Sequence, residues 1–245
     1  MPARTLTVDC GGTGLKAVVL DEDGAPLSER VRIPTPYPCP PDVLVAALAR
    51  LVEPLPPYDR VSVGFPGVLR AGRVLTTPHY VTEAGPFTPL RDDLLRQWRG
   101  YDVAAALAET LARPTIAVND AELHGLAVVC GQGYEVMLTL GTGLGFAQFW
   151  NGELLPKVEM SAHPFAKGET YDERLGDHAR RAVGNARWNR RVRKAVRTLQ
   201  RTFWWDAVYI GGGNSRHLDP ELGVDAAIVT NAAGLLGGVR LWRGE

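Results

Sequence analysis

The 245-residue chain is long enough for one large domain or two small ones. Its 27 Lys and Arg residues balance 27 Asp and Glu residues, so the overall charge indicates neither a nucleic-acid nor a membrane partner. The sequence lacks an apolar run long enough to cross a membrane and the apolar core of a signal peptide, and its three dispersed cysteines favour neither a zinc site nor a disulfide scaffold. We therefore expect a cytoplasmic protein without structural zinc.

The first predicted element is a β-hairpin over residues 5–20, in which two apolar runs flank the glycine-rich turn 11–14. Asp23-Gly24 then signals a tight turn into a third strand. Residues 12–17 fit the G-x-G-x-x-A pattern of a dinucleotide-binding loop, but that loop must lead directly into a helix, and here a strand follows. Two interpretations remain: a plain hairpin whose turn is capped by Asp9, or a hairpin that binds phosphate.

The middle of the chain alternates helical and strand patterns, which is typical of an α/β fold. Segment 79–99 has no clear core pattern, and we interpret it as a flap over a cleft. The proline-rich piece 34–41 is interpreted as a stiff loop. The other predicted elements of this part are helices over 43–52, 103–112 and directly after residue 120, and strands over 61–68 and 114–120.

The opening pattern returns about half a chain later. GTGL occurs at 12–15 and again at 141–144, and each copy lies between two apolar runs that end in a tight-turn signal. Two copies in matched order predict two similarly built lobes facing a cleft. The alternative is coincidence between two short glycine-rich turns. Beyond the second copy we predict a strand over 206–215 that runs into three glycines, a strand over 226–231 and a closing helix.

The three glycine loops suit an anionic ligand, because glycines let backbone N–H groups point at anionic oxygens. Thr13 and Thr142 would add hydroxyl donors, and Lys16 would reach a terminal phosphate. Asp9 would repel a phosphate unless a partly hydrated Mg²⁺ lies between the two. The predicted phosphate- or nucleotide-binding residues are Asp9, Gly11, Gly12, Thr13, Gly14, Lys16, Gly141, Thr142, Gly143, Gly211, Gly212 and Gly213.

These motifs resemble the sugar kinase and actin-like ATPase superfamily. Residues 9–14, 140–145 and 210–213 are similar to its two phosphate loops and its adenosine loop. The loop 64–67 and the pair 119–120 narrow the resemblance to the ROK family, nearest its polyphosphate glucokinase branch. The resemblance covers nearly the whole chain.

It implies a two-lobed α/β fold, the duplicated ribonuclease H-like domain of actin-like ATPases, with a central cleft. The N-terminal lobe would span residues 1–118 and be joined by a C-terminal helix, 232–245. The C-terminal lobe would span residues 119–231.

The resemblance also implies a hexose kinase that transfers a terminal phosphoryl group from ATP or polyphosphate to a sugar hydroxyl. Asp120 would be the general base, and its place between a strand end and a helix suits that role. The alternative is that Asp120 merely caps the helix. The resemblance further implies Mg²⁺ held through water by Asp9, a homodimer, and sugar contacts from Pro66, Gly67, Asn119, Glu159 and His163.

The acceptor pocket departs from the family pattern. The family has Glu-x-x-His, whereas here His163 stands one place late after Glu159. Either the loop shifts or that contact is lost. A family Asn is replaced by His79, and Glu169 or Glu173 could add a further sugar contact. The identity of the sugar therefore stays open.

Residues 178–205 contain nine Lys and Arg residues and no acid. Helical spacing puts Val192, Val196, Leu199 and Phe203 on one stripe and Arg190, Lys194, Arg197 and Arg201 on a face turned away from it. This face is either a solvated cationic surface or a track for polyphosphate.

Two other functions fit parts of the pattern. A sugar-sensing regulator of this family would carry an N-terminal DNA-binding domain, and a first strand near residue 5 leaves no room for one. A sugar-binding protein without catalysis would explain the altered acceptor pocket.

Overall fold

The computed structural model describes residues 2–229 and 231–242. The chain divides into two compact units. The first consists of the residues up to Ala127 together with the segment that begins at Leu235, and the second is Val128–Gly234. The sequence analysis placed the first boundary at residue 118. The helix that begins at Asp120 packs on a strand of the first unit, so the observed division falls after that helix.

The first unit is an α/β structure with one main sheet. Its strands are β1 (Thr5–Cys10), β2 (Leu15–Leu20), β3 (Val31–Ile33), β4 (Arg60–Phe65), β5 (Val68–Arg70), β6 (Arg73–Thr76) and β7 (Thr115–Asn119). Its helices are α1 (Pro41–Val52), α2 (Asp92–Trp98), α3 (Val103–Leu111) and α4 (Asp120–Leu126). The main sheet has the order β3-β2-β1-β4-β7, in which β1 and β2 form an antiparallel hairpin and β4 and β7 run parallel to β1.

The two faces of this sheet are covered differently, because successive side chains of a strand point to opposite faces. Val8 of β1 belongs to the larger core, which α1 and α3 complete. Val18 and Leu20 of β2 lie on the other face. They pack with Leu235 and Val239 of a C-terminal 3₁₀ helix, Asn231–Trp242, where the sequence predicted a helix.

The second unit repeats this plan. Its strands are β8 (Tyr134–Leu140), β9 (Leu144–Trp150), β10 (Glu153–Leu154), β11 (Pro164–Ala166), β12 (Glu169–Thr170), β13 (Ala207–Gly211) and β14 (Ala227–Ile228). Its helices are α5 (Tyr171–Leu175), α6 (Asp177–Val183), α7 (Asn185–Phe203) and a short 3₁₀ turn, Ser215–His217.

The internal repeat predicted from GTGL is confirmed by the order of the strands. The second sheet runs β10-β9-β8-β13-β14, with β8 and β9 as an antiparallel hairpin and β13 parallel to β8. Each sheet therefore has a hairpin in which a glycine turn joins the first two strands, an antiparallel third strand, and parallel strands on the other side. This duplicated topology is the one implied by the resemblance to actin-like ATPases.

Segment 79–99 contributes buried side chains to the core at both of its ends, whereas Phe87 and Leu90 in its middle are exposed, so its interpretation as a flap stays a prediction. Tyr80 and Trp98 are fully buried, and both rings lie about 5.5 Å from the ring of Phe65. The indole N–H of Trp98 donates to Cys39 O at 2.8 Å. Because a few large aromatic residues fill this region, the sequence of the segment shows no regular spacing of apolar residues.

The basic segment forms α6 and α7, and the predicted stripes are confirmed. Val192, Val196 and Leu199 are almost completely buried and Phe203 is half-buried, whereas the four residues of the predicted cationic face, Arg190, Lys194, Arg197 and Arg201, are exposed. Within the described residues, no helix is both long enough and apolar enough to cross a membrane.

Candidate active site

The first glycine loop is held by hydroxyl groups that bind its carbonyl oxygens. Gly11 N–H closes the turn on Gly14 O at 3.1 Å. Thr35 Oγ1 donates to Gly11 O at 2.7 Å, and the Tyr37 hydroxyl donates to Gly12 O at 2.8 Å. In a trans peptide the C=O of one residue and the N–H of the following residue point in opposite directions. The N–H groups of Gly12 and Thr13 therefore face away from these two hydroxyls.

Those N–H groups are the loop's available donors. Within residues 2–229 and 231–242, the amides of Gly12 and Thr13 donate to no protein acceptor, and Thr13 is exposed. A pair of adjacent unused N–H groups is the arrangement that binds an anionic oxygen. The loop geometry therefore agrees with the phosphate-binding interpretation better than with a plain hairpin.

Asp9 and Lys16 are partners of each other. They face each other across β1 and β2, and Lys16 Nζ lies 2.6 Å from Asp9 Oδ2. The sequence analysis assigned Lys16 to a terminal phosphate and Asp9 to a hydrated Mg²⁺. The ion pair gives the carboxylate a protein partner and occupies the ammonium group.

Asp120 is the first residue of α4, and Asn119 is its N-cap. The Asn119 side chain accepts from Ala121 N–H, and the Glu122 carboxylate accepts from Asn119 N–H at 2.7 Å, which completes a capping box. The alternative in which Asp120 caps the helix is therefore replaced by a cap at Asn119, although Asp120 Oδ1 also accepts the Ala121 N–H.

Asn119 braces the neighbouring loop as well. Its Nδ2 donates to Gly67 O at 2.8 Å and to Phe65 O at 3.3 Å, and its side chain is buried. The structure thus brings Asn119, Asp120 and the Pro66-Gly67 loop together, as predicted. The buried amide of Asn119 is already hydrogen-bonded on both sides, so its sugar contact stays a prediction.

Asp9 and Asp120 lie on the same face and at the same end of the first sheet. Asp9 pairs with Gly64 across β1 and β4, and a methyl carbon added at Gly64 would lie 3.4 Å from Asp120 Cα. Cys10, the next residue after Asp9, is buried in the core on the other face of the sheet. Burial raises its pKa well above the usual value, and the charges of Asp9 and Asp120 both add to that increase.

A carboxylate from outside the second glycine loop contacts its backbone, and the sequence did not predict this contact. Asp172 Oδ1 accepts from Leu144 N–H at 2.6 Å, and a methyl carbon added at Gly143 would lie 2.2 Å from the same oxygen. Gly143 is therefore required by the close approach of Asp172. Asp172 lies in the first turn of α5, nearly thirty positions from the loop it contacts, and no sequence pattern connected them.

The third glycine loop packs directly on the second. Asn214 Nδ2 donates to Gly141 O at 2.9 Å, and Asn214 N–H donates to Leu140 O at the same distance. Gly212 has a φ of 86°, and a side chain there would meet the backbone of Leu140. A methyl carbon added at Gly141 or Gly213 would lie more than 4 Å from every neighbouring atom of the described residues, so this side of both loops is open there.

The acidic and histidine residues predicted for the sugar pocket have local partners in the second unit. Glu159 is exposed and accepts from Ser161 N–H, and the exposed His163 has its Nδ1 3.0 Å from Pro164 O. Glu169 pairs with Arg174 at 2.5 Å. Glu173 accepts from Thr170 N–H in a capping box of α5, and this bond lowers the pKa of Glu173.

His79 is placed beside the first glycine loop. A methyl carbon added at Gly12 would lie 3.0 Å from His79 Cγ. This position puts the imidazole next to a predicted phosphate loop. Its suggested sugar contact stays a prediction.

A magnesium site depends on the carboxylates that the protein can offer to the ion. Within the described residues, no group of three His, Cys, Asp or Glu side chains is arranged to hold a metal ion. Mg²⁺ commonly uses one or two carboxylates, waters and substrate phosphates instead of an all-protein cage. The single carboxylate of Asp9 fits a Mg²⁺ ion that would bind together with the phosphates of a substrate.

Comparisons with known proteins agree with this architecture. The model of the ROK family matches residues 5–157. The polyphosphate glucokinase of Mycobacterium tuberculosis is 27% identical over 94% of this chain and 88% of its own length. The N-acetylmannosamine kinase of Citrobacter koseri is 35% identical over 62% of this chain and 49% of its own length.

A solved structure matches nearly the full length of the chain. The inorganic polyphosphate/ATP-glucomannokinase of Arthrobacter sp. strain KM superimposes with a TM-score of 0.82 at 27% identity and covers 98% of both chains. These relatives are sugar kinases of the actin-like ATPase fold, and the predicted resemblance to their polyphosphate glucokinase branch is confirmed. The chain belongs to the ROK family.

Proposed function

We propose that this protein is a hexose kinase that transfers a terminal phosphoryl group from ATP or polyphosphate to a sugar hydroxyl. The observation that carries the proposal is the position of Asp120 on the same sheet face and strand end as Asp9, whose strand leads into the first glycine loop. A carboxylate at the strand end that leads into a loop with unused N–H groups would combine a proton acceptor with a phosphate-binding element. The names of the related kinases support the same reaction class.

In the proposed reaction, the sugar hydroxyl attacks the terminal phosphorus of the donor. The new O–P bond forms while the bond from that phosphorus to the donor's bridging oxygen breaks. The hydroxyl proton passes to the Asp120 carboxylate. Such transfers depend mostly on positioning and on stabilising charge, which the N–H groups of Gly12 and Thr13 would provide.

A magnesium ion bound with the donor phosphates would neutralise charge that develops during the transfer. Asp9 is the residue proposed to hold it, through water. The Lys16 ammonium keeps the Asp9 carboxylate fixed at the end of β1. In the second unit, the loops 141–143 and 211–213 are proposed donor-binding elements as well.

The choice between donors rests on the cationic face of α7. Its residues line a shallow pocket of about 280 Å³, and no acidic residue occurs between positions 178 and 205. At a rise of about 1.5 Å per residue, the row from Arg190 to Arg201 is about 16 Å long. A row of that length can follow an extended polyanion, so it favours polyphosphate. The pocket residues are Arg190, Arg193, Lys194, Arg197, Thr198 and Arg201.

The donor proposal is tested with the double variant Arg190→Gln/Arg201→Gln. We expect the KM for long-chain polyphosphate to rise about tenfold or more, while the KM for ATP stays unchanged. The control is Arg96→Gln/Arg99→Gln, which removes two exposed charges at the C-terminal end of α2, one in its last turn and one at its C-cap. Equal KM values for polyphosphate in the two double variants would contradict the proposed track.

The proposed reaction itself is tested by a coupled assay over a panel of hexoses, with ATP and with polyphosphate as donors. We expect turnover with at least one hexose and its loss in Asp120→Asn. Turnover that Asp120→Asn leaves unchanged would refute the assignment of the base.

A second candidate is a sugar-binding protein without catalysis. It is favoured by the exposure of Glu159 and His163 and by the local hydrogen bonds that both make. Measurable sugar binding by calorimetry, without turnover on any hexose of the panel, would support this candidate over the kinase.

The homodimer implied by the family resemblance is also kept as a proposal. Size-exclusion chromatography with light scattering tests it directly. A mass near 53 kDa, about twice the 26.6 kDa of one chain, is the expected result.

A further inference from the structure

Arg32 extends a row of charged side chains next to the first glycine loop. Lys16 pairs with Asp9 across β1 and β2, and Lys16 pairs with Arg32 across β2 and β3. Residues directly opposite each other on antiparallel strands point to the same face of a sheet. Asp9, Lys16 and Arg32 therefore form one row across three adjacent strands.

The guanidinium of Arg32 lies against the loop itself. A methyl carbon added at Gly14 would lie 2.9 Å from Arg32 Nε and 3.1 Å from Arg32 Nη2. The glycine thus provides the space in which the guanidinium packs over the backbone of the loop. The unused N–H groups of Gly12 and Thr13 belong to the same four-residue turn.

Arg32 gives this row its net positive charge. The Asp9 carboxylate and the Lys16 ammonium neutralise each other at 2.6 Å. Within the part of the chain that the structure describes, no carboxylate lies within ion-pair distance of Arg32, which is exposed. One uncompensated guanidinium therefore remains beside a loop that offers backbone donors.

We propose that Arg32 binds a phosphate group of the phosphoryl donor at the first glycine loop. A planar guanidinium can donate two parallel hydrogen bonds to phosphate oxygens, which an ammonium cannot do. Arg32 thus takes the role that the sequence suggested for Lys16. The proposal rests on the proposed function, because it assigns Arg32 to the donor of that reaction.

The first test measures binding without catalysis. Titration calorimetry of the full chain with inorganic tripolyphosphate compares wild type, Arg32→Gln and Arg32→Lys with Arg30→Gln, which removes an exposed charge from the same stretch of chain. We expect Arg32→Gln to raise the Kd about 10- to 100-fold and Arg32→Lys to raise it less, because a point charge remains. We expect Arg30→Gln to behave as wild type.

The second test separates failure of this inference from failure of the proposed function. If wild type phosphorylates a hexose, Arg32→Gln should raise the KM for the donor by a similar factor and leave the KM for the sugar unchanged. Equal effects of Arg32→Gln and Arg30→Gln on the Kd would overturn the role of Arg32, as would a wild type that does not bind tripolyphosphate. If the wild type binds tripolyphosphate through Arg32 but shows no turnover, the proposed kinase activity is refuted and the proposed anion site at Arg32 is retained.

Discussion

Asp9 and Lys16 form a 2.6 Å ion pair at the base of the first glycine loop, with side chains only 9% and 20% exposed. The pair keeps a carboxylate beside a loop that is proposed to bind an anion. Without the ammonium, that carboxylate would be buried and unpaired, and it would repel a phosphate.

Lys16→Met should therefore destabilise the protein strongly. We expect a loss of about 3–5 kcal/mol in the free energy of unfolding, measured by urea denaturation, because a buried charge loses its partner. Asp9→Asn/Lys16→Met should lose less than the sum of the two single variants. Losses that add to within about 0.5 kcal/mol would show that the two residues are not coupled.

Gly143→Ala should disturb the second loop, because the new methyl group would lie 2.2 Å from Asp172 Oδ1. Asp172 would have to give up its hydrogen bond to Leu144 N–H, at a loss of about 1–3 kcal/mol in the free energy of unfolding. Gly141→Ala is the matched control, since its methyl group would meet no atom within 4 Å. Equal stabilities of the two alanine variants would contradict the contact.

Substitutions of Asn119 should separate its two roles. Asn119→Ser keeps a neutral oxygen that can cap α4 but loses the Nδ2 bonds to Phe65 O and Gly67 O. Asn119→Ala loses both roles, and the missing cap alone is expected to lower the free energy of unfolding by about 1 kcal/mol relative to Asn119→Ser. Thermal unfolding followed by circular dichroism measures the difference. An alanine variant as stable as the serine variant would exclude a capping role.

Trp98→Ala tests whether segment 79–99 belongs to the core. Removing a fully buried indole that packs on Phe65 and Tyr80 should lower the free energy of unfolding by about 3–5 kcal/mol. Leu90→Ala, at a position 65% exposed in the same segment, should change it by less than about 0.5 kcal/mol. A loss from Trp98→Ala as small as the loss from Leu90→Ala would contradict the place of Trp98 in the core.

Local patterns in the sequence predicted much of the fold. The repeated GTGL and the tight-turn signal that follows each copy led to the two hairpins, because hairpins depend on neighbouring residues. The helical stripe through Val192, Val196 and Leu199 predicted which side of α7 is buried. The same local logic placed Asn119 and Asp120 between a strand and a helix.

Features that depend on long-range packing could not be predicted in this way. Phe65, Tyr80 and Trp98 form one aromatic cluster, although 33 positions separate the first from the last, and no periodicity reports such a contact. Asp172 reaches Gly143 only because α5 packs beside the second loop. Arg32 lies opposite Lys16 because of the register between β2 and β3. The loop between the two strands determines this register, so the spacing of residues in the sequence does not reveal it.

The most direct test of the account is the single-turnover rate of phosphoryl transfer at saturating hexose and donor in Asp120→Asn. The control is Asp92→Asn, because Asp92 also occupies the first position of a helix, α2. General-base catalysis predicts that the rate falls about 10²- to 10⁴-fold in Asp120→Asn, with the Kd for the sugar little changed, and that Asp92→Asn matches wild type. A rate in Asp120→Asn within about threefold of that in Asp92→Asn would contradict the assignment of Asp120 as the group that accepts the hydroxyl proton.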